Sequence, residues 1–163
     1  MKIDIFCGIT LKWDYIKLTV QLRIPDYVQL SLEHFQHSRL NEKTDAPHEY
    51  KEPVYRLKRK YAHDPDTSPL LSQEKKTYSQ QFVGVFLYYT WAVDLTILTA
   101  FNSIVGSQAA PTKKTLYHCT QLIYDISWHP QVDIEYKSNG MQLWLHVEAE
   151  YLVSEKAHSW IAG

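Results

Sequence analysis

The chain has 163 residues, with 17 Lys and Arg against 18 Asp and Glu. This length holds one ordinary domain or two small ones, and a composition of 45% apolar and 21% charged residues indicates a globular protein. A net charge of −1 excludes a global attraction to nucleic acid or to anionic membranes, so any nucleic-acid surface must be local. Cys7 and Cys119 form no C-x-x-C pair and predict neither a disulfide framework nor a zinc site.

Neither the N-terminal segment nor the most apolar segment has the pattern of membrane targeting or insertion. Charged residues interrupt the first residues of the chain, so the continuous apolar region of a signal peptide is missing. The apolar stretch 82–106 is broken by Asp94, whereas a membrane-spanning helix needs about 20 mostly apolar residues. We therefore expect buried helices, no membrane partner and an intracellular protein, although the sequence identifies no particular compartment.

The first part of the chain predicts a β-hairpin followed by a helix. Residues 5–13 and 18–24 alternate between apolar and polar side chains on either side of a short Asp-Tyr-Ile connection, which is typical of paired strands. One face of the first strand is expected to carry Ile5, Cys7, Ile9, Leu11 and Trp13. A helical period then follows Pro25 and predicts a helix up to about Gln36. The apolar stripe of that helix is Val28, Leu32 and Phe35.

Residues 38–72 differ in character from the segments on either side. They hold four of the seven prolines and few aliphatic residues, a composition typical of a long loop. A basic cluster inside this loop consists of Arg56, Lys58, Arg59 and Lys60.

Three helices are predicted after the loop. The first presents an apolar face made of Tyr78, Phe82, Val85 and Tyr89. Asp94 is the predicted N-cap of the second helix, which runs to about Ala109, and Pro111 suits the first position of the third. The stripe of the third helix is Leu116, Cys119, Ile123 and Ile126. His129 and Pro130 end this helix.

The chain closes with a second predicted hairpin, formed by residues 132–136 and 143–149. Asn139 and Gly140 lie between these two runs and tolerate the positive φ values of a tight turn. The sequence therefore predicts an α+β protein with an N-terminal β-hairpin and helix, a long loop, a three-helix segment and a C-terminal β-hairpin.

Two pairs of side chains resemble small metal sites, and a simpler interpretation is favoured for each. His34 and His37 lie one helical turn apart, but no third or fourth ligand can be named, so a solvated helix end is favoured. Asp64 and Asp66 flank a proline, which favours a plain turn.

Near the C terminus, His146, Glu148 and Glu150 share one face of a predicted strand. Their two carboxylates can bind a hard cation, and an exposed polar face is the favoured alternative. The basic cluster in the loop can contact phosphates, although such runs are more often solvated. The chain contains no nucleophile elbow, no P-loop and no Gly-rich dinucleotide turn.

Four segments, which follow one another over nearly all of the chain, resemble parts of one known family. They are FCGITLKWDYIKLTVQLRIPDYVQLSLEHFQH, HDPDTSPLL, FVGVFLYYTWAVDLTILTAFNSIVGSQAAPTKKTL and IEYKSNGMQLWLHVEAEYLVSEKAHSWIAG. In that order, they are similar to the hairpin and helix after the polymerase active site, the proline-bearing linker, the paired helices and the entry into ribonuclease H of copia-type retrotransposon polyproteins. The resemblance implies the end of a reverse transcriptase that runs into a truncated ribonuclease H domain.

The resemblance also implies a division of the chain and a partner. The four segments are a reverse-transcriptase hairpin and thumb-like helix (1–37), a loop or linker (38–72), a helical thumb or connection segment (73–130) and the truncated start of a ribonuclease H-like domain (131–163). The implied partners are an RNA or DNA template-primer, bound weakly, and the rest of a retroelement polyprotein if a longer product exists. The implied nucleic-acid-binding residues are Lys12, Trp13, Lys17, Arg56, Lys58, Arg59 and Lys60.

The sequence departs from the family at the residues that catalysis needs. Reverse transcription requires two adjacent aspartates that hold magnesium ions, and no Asp-Asp pair occurs in the chain. Glu148 stands at the position of the first ribonuclease H carboxylate, which is an Asp in the family, and the remaining ligands would follow Gly163. The family usually has Arg at the position of Trp91 and basic residues around His158 and Trp160.

From these departures we expect no intact catalytic residue, no metal site and no cofactor in this chain, whereas the parent family uses magnesium. The expected function is a retrotransposon-derived fragment of an RNA-directed DNA polymerase and ribonuclease H polyprotein that is not an enzyme by itself. Two alternatives remain open at this point: a weak nucleic-acid-binding remnant, and an unrelated structural or interaction module.

Overall fold

A computed structural model of the chain describes residues 2–37, 46–49 and 66–140, together with the backbone of 148–150 and 160–162. The chain divides into two units. The first consists of Met1–Glu49 and Ser68–Ser138, and the second of Tyr50–Thr67 and Asn139–Gly163. Strands and helices are both present, so the predicted α+β class is confirmed.

The first unit contains a four-stranded antiparallel sheet with the strand order β1-β2-β3-β4. Its strands are β1 (Lys2–Phe6), β2 (Ile9–Asp14), β3 (Thr19–Arg23) and β4 (Ile134–Lys137). The register pairs Leu11 with Leu22 and Leu22 with Ile134, so three aliphatic side chains lie next to one another on one face.

The prediction of one strand over residues 5–13 is wrong, because a tight turn at Cys7 and Gly8 divides this run into β1 and β2. The φ values of the two turn residues are 50° and 80°, and two-residue hairpin turns of this kind require such positive values. The turn reverses the chain, so Ile5 pairs with Thr10. Ile5 therefore lies on the face opposite to Trp13. The common face predicted for this run keeps only Ile9, Leu11 and Trp13.

The predicted hairpin around Asp-Tyr-Ile is confirmed as the connection between β2 and β3. The Asp14 carboxylate accepts hydrogen bonds from the backbone N–H groups of Ile16 and Lys17, each 3.0 Å long. A short acidic side chain favours a turn in this way, because it supplies an acceptor for N–H groups that the strands leave free.

Four helices of the first unit build a common apolar core. They are α1 (Tyr27–His34), α2 (Gln73–Ala92), α3 (Leu98–Gly106) and α4 (Lys113–Trp128). The predicted stripe residues Val28, Leu32, Phe82, Tyr89, Cys119, Ile123 and Ile126 are all buried in this core. Tyr78 and Val85 are half-buried. The core also buries Phe86, which the helical period of α2 brings next to Phe82, with ring centroids 4.9 Å apart.

The ends of the helices follow from local hydrogen bonds. Asp94 caps a short 3₁₀ turn, Leu95–Ile97, that leads into α3, and its carboxylate accepts hydrogen bonds from the N–H and the hydroxyl of Thr96. The prediction of Pro111 as the first residue of α4 is wrong. The helix starts after Thr112, because the side chains of Thr112 and Thr115 each accept a hydrogen bond from the backbone N–H of the other.

The C-terminal strand is confirmed as β4, and its described partner is β3. Residues 143–147, the main part of its predicted partner, lie outside the described residues. In the second unit, β5 (Glu148–Glu150) pairs antiparallel with β6 (Trp160–Ala162). No helix in the described part of the chain is long and apolar enough to cross a membrane.

Candidate nucleic-acid interface

The sheet of the first unit is its most accessible part. Every residue of β1, β2, β3 and β4 is half-buried or exposed, whereas the fully buried apolar side chains belong to the helices and the turn before α3. Sheet side chains are therefore available to a partner, and their types decide which partner fits.

A shallow groove of about 360 Å³ lies at the end of the sheet where the connection between β2 and β3 turns. Its lining includes the aromatic residues Trp13, Tyr15 and Tyr136, and Leu18 and Lys137 lie beside them. Tyr15, Leu18 and Tyr136 expose 66%, 61% and 54% of their surface. The groove thus offers ring faces and apolar surface to the solvent.

The sheet register explains why the aromatic residues meet. Trp13 on β2 pairs with Val20 on β3, which pairs in turn with Tyr136 on β4, so all three side chains point to the same face. Tyr15 follows in the turn, and its ring lies almost parallel to that of Trp13, with 13° between the planes and 6.4 Å between the centroids.

Two of the predicted nucleic-acid-binding residues, Lys12 and Trp13, lie on opposite faces of the sheet. Successive side chains of a strand alternate between faces, and Lys12 pairs with Gln21 while Trp13 pairs with Val20. Lys17, the third predicted residue, is exposed in the turn between Tyr15 and Leu18. The structure therefore brings Trp13 to the groove and places Lys12 on the other face, while Lys17 lies in the turn at that end of the sheet and is not among the residues that line the groove.

The acidic and basic side chains of the sheet differ in their contacts. The strands and their two hairpin turns carry five basic and three acidic residues, a local excess of positive charge within a chain of net charge −1. Each acid has a partner within the sheet: Lys2 for Asp4 at 3.0 Å, turn N–H groups for Asp14 and the Gln21 amide for Glu135 at 3.0 Å. Within the described part of the chain, no ion pair involves Lys12, Lys17, Arg23 or Lys137.

Two pKa shifts reflect these contacts. Hydrogen bonding to Asp4 and its negative charge raise the pKa of Lys2. The hydrogen bond from the backbone of Lys17 lowers the pKa of Asp14, and the one from Ile16 and the Lys17 charge act in the same direction. Asp14 is therefore held as a carboxylate by the turn that it stabilises, and Lys17 in the same turn is exposed.

The other five predicted site residues are not among those whose side chains the structure describes. Arg56, Lys58, Arg59 and Lys60 lie outside the described residues. Glu148 is the first residue of β5, where only its backbone is described.

Of the pairs considered as metal sites, His34 and His37 are described, whereas Asp64 lies outside the described residues. His34 packs edge-on against Phe35, and His37 contacts the ring of Tyr124 with 4.7 Å between centroids. Burial lowers the pKa of His37. Among the residues that the structure describes, no three His, Cys, Asp or Glu side chains are grouped closely enough to hold a metal ion.

A second accessible surface lies on α2. Gly84, Leu87, Tyr88 and Trp91 line an apolar hollow of about 460 Å³, and Trp91 exposes 63% of its surface. The Tyr88 hydroxyl donates a hydrogen bond to the carbonyl of Cys7, so the turn of the first hairpin touches the same helix. The described residues that line this hollow are uncharged, which distinguishes it from the groove of the sheet.

Sequence reasoning missed three residues of the groove, namely Tyr15, Tyr136 and Lys137. Tyr15 lies two residues after Trp13 and was predicted only as part of the connection between two strands. Tyr136 and Lys137 were assigned to a separate C-terminal hairpin, since nothing in the local pattern indicates that their strand pairs with β3. An exposed aromatic residue at a strand end is the one local signal that points to them.

No protein-family model matches this chain, and neither a curated protein nor a solved structure matches it.

Proposed function

We propose that this chain is a retrotransposon-derived fragment of an RNA-directed DNA polymerase and ribonuclease H polyprotein. In this proposal it has no catalytic activity by itself and keeps a surface that binds nucleic acid weakly and without sequence preference. The observation that carries the proposal is the groove lined by Trp13, Tyr15, Tyr136 and Lys137, with Lys17 exposed in the turn at the same end of the sheet. Most of this groove belongs to the segment that resembles the hairpin after the polymerase active site.

The groove has the two components that nucleic acid requires of a nonspecific binding surface. Ammonium groups attract phosphates and release counterions, and aromatic faces offer stacking to any base. The sheet and its two hairpin turns carry five basic and three acidic residues, so their net charge favours a phosphate backbone.

Two features of the sequence support the absence of catalysis in this proposal. No Asp-Asp pair is present for the polymerase metals, and the resemblance places Glu148, which is longer by one methylene, at the position of the first ribonuclease H aspartate. A magnesium ion held by one or two carboxylates keeps most of its water and binds weakly.

A second candidate function, an interaction module, has support from the hollow on α2. Leu87, Tyr88 and Trp91 are exposed there, and clustered exposed apolar residues mark sites of protein interaction. Nucleic-acid binding at low salt distinguishes the two candidates, because an interaction module of this kind has no reason to bind phosphates.

The catalytic part of the proposal is tested by primer extension on an RNA template and by cleavage of an RNA–DNA hybrid, each with magnesium or manganese. We expect no activity above a contaminant control for the wild type, and Glu148→Asp should restore none. Primer extension by the purified chain would contradict the proposal. Specific hybrid cleavage that Glu148→Ala abolishes would contradict it as well.

A further inference from the structure

We infer that the groove of the sheet binds an unpaired nucleic-acid strand through stacking of its bases on Trp13, Tyr15 and Tyr136. This inference rests on the proposed function and deepens it, because it names the kind of nucleic acid that the surface accepts. It also assigns binding roles to two tyrosines that the resemblance does not identify.

The aromatic residues form a platform rather than a buried cluster. The rings of Trp13 and Tyr15 are stacked on each other within 13° of parallel, and Tyr15 is exposed by 66%. Tyr136 is exposed by 54% on the same sheet face as Trp13. Trp13 itself is half-buried, so the two tyrosines present the exposed ring surface, and a flat aromatic ligand covers such surface well.

The spacing of the platform suits successive nucleotides. Trp13 and Tyr136 belong to β2 and β4, which flank β3, so their backbones are about 10 Å apart. Val20 lies between them, and because its side chain is small, the groove is open between the two aromatic residues. One base can therefore stack at the Trp13 and Tyr15 side and a neighbouring base at Tyr136.

Positive charge lies at the edges of this platform. Lys17 is exposed in the turn, and Lys137 lines the groove, although strand alternation directs its side chain to the face of Thr19, opposite to Tyr136. Neither lysine forms an ion pair with a described residue. Both lysines lie at the end of the sheet where the groove lies, so a phosphate backbone that follows this end of the sheet passes near positive charge.

The platform discriminates between unpaired and paired strands. In a duplex the base faces are covered by neighbouring base pairs, so aromatic side chains on a flat sheet reach only the outside of the double helix. An unpaired strand can turn its bases out and stack them on aromatic side chains, and such stacking tolerates every base.

The test compares the affinity of the full chain for three probes at low salt: a mixed-sequence single strand of about 12 nucleotides, an abasic strand of the same length, and the corresponding duplex. Tyr15→Ala and Tyr136→Ala remove the platform at exposed positions. Tyr117→Ala on α4 is the matched control, since Tyr117 is exposed by 58% and lies away from the groove.

We expect the single strand to bind more tightly than the duplex or the abasic strand. Each groove tyrosine variant should lose roughly tenfold in affinity for the single strand and little for the abasic strand, while Tyr117→Ala stays at the wild-type value. Equal affinity for single strand and duplex, or unchanged affinity in both groove variants, would overturn the inference and leave the nucleic-acid surface in place. Absence of binding to all three probes would overturn the proposed function together with the inference.

Discussion

The two cysteines show how strongly the environment of one residue changes its chemistry in this protein. Cys7 is exposed in the first hairpin turn, whereas Cys119 is fully buried on α4 with its sulfur 3.8 Å from the Ser79 hydroxyl. Burial raises the pKa of the Cys119 thiol to about 11. Because the thiolate is the reactive species, Cys119 is doubly protected, by lack of access and by its protonation.

Titration with a thiol reagent at pH 8 should therefore detect one fast group in the folded protein and two after denaturation. At this pH a thiol with a pKa near 11 is only about one part in a thousand thiolate. Cys7→Ser should abolish the fast reaction, and Cys119→Ser should leave it intact. Fast reaction of two thiols in the native wild type would show that the helical core is more open than described.

At the scale of single elements, short-range hydrogen bonds decide where strands and helices end. The Asp14 carboxylate organises the β2–β3 connection through the N–H groups of Ile16 and Lys17, and Thr112 does the same for the start of α4. Such caps are worth about 1 kcal/mol in helices. The sequence pattern predicted the elements themselves, but the choice between Pro111 and Thr112 depended on a hydroxyl geometry that spacing does not show.

The turn at Asp14 predicts a specific pH dependence. The pKa of Asp14 is lower in the folded state than the ordinary value, so its stabilising contribution is present above about pH 4 and is lost as the pH falls through the folded-state pKa. Asp14→Ala should be less stable than the wild type at neutral pH. Chemical denaturation at pH 7 and at about pH 3 measures both values.

Asp14→Asn is the matched variant for this experiment, because its amide oxygen still accepts the turn N–H groups but does not titrate. It should lie between the wild type and Asp14→Ala in stability at pH 7, because a neutral oxygen accepts hydrogen bonds more weakly than a carboxylate, and it should lack the part of the acid destabilisation that belongs to Asp14. If Asp14→Ala and the wild type lose stability equally between the two pH values, the carboxylate does not stabilise the turn.

For the whole molecule, the sequence predicts burial best in the helices, where apolar residues recur at the helical period. Val28, Leu32, Phe82 and Ile123 were placed in the core by period alone, because a helical face that is apolar over several turns has to be buried. The turn at Cys7 and Gly8 was missed, because alternation continues across it in the sequence even though the chain reverses.

The candidate site was predicted only in part, since it depends on a long-range pairing. Trp13 was identified from the first hairpin, whereas Tyr136 joins it in the groove only because β4 returns to pair with β3 across most of the chain. Local patterns carry no information on such a return. Lys12 was grouped with Trp13 as a neighbour in sequence, and the alternation of a strand separates the two side chains.

The dependence of single-strand affinity on salt tests the central claim, that this sheet is a nucleic-acid interface, most directly. The logarithm of the binding constant should fall linearly with the logarithm of the salt concentration, with a slope of about −0.7 for each phosphate neutralised. The double variant Lys17→Ala/Lys137→Ala should flatten this slope, whereas Lys75→Ala, an exposed control on α2, should not change it. An affinity that does not vary with salt, or a slope that is the same in the double variant and the wild type, would contradict the account.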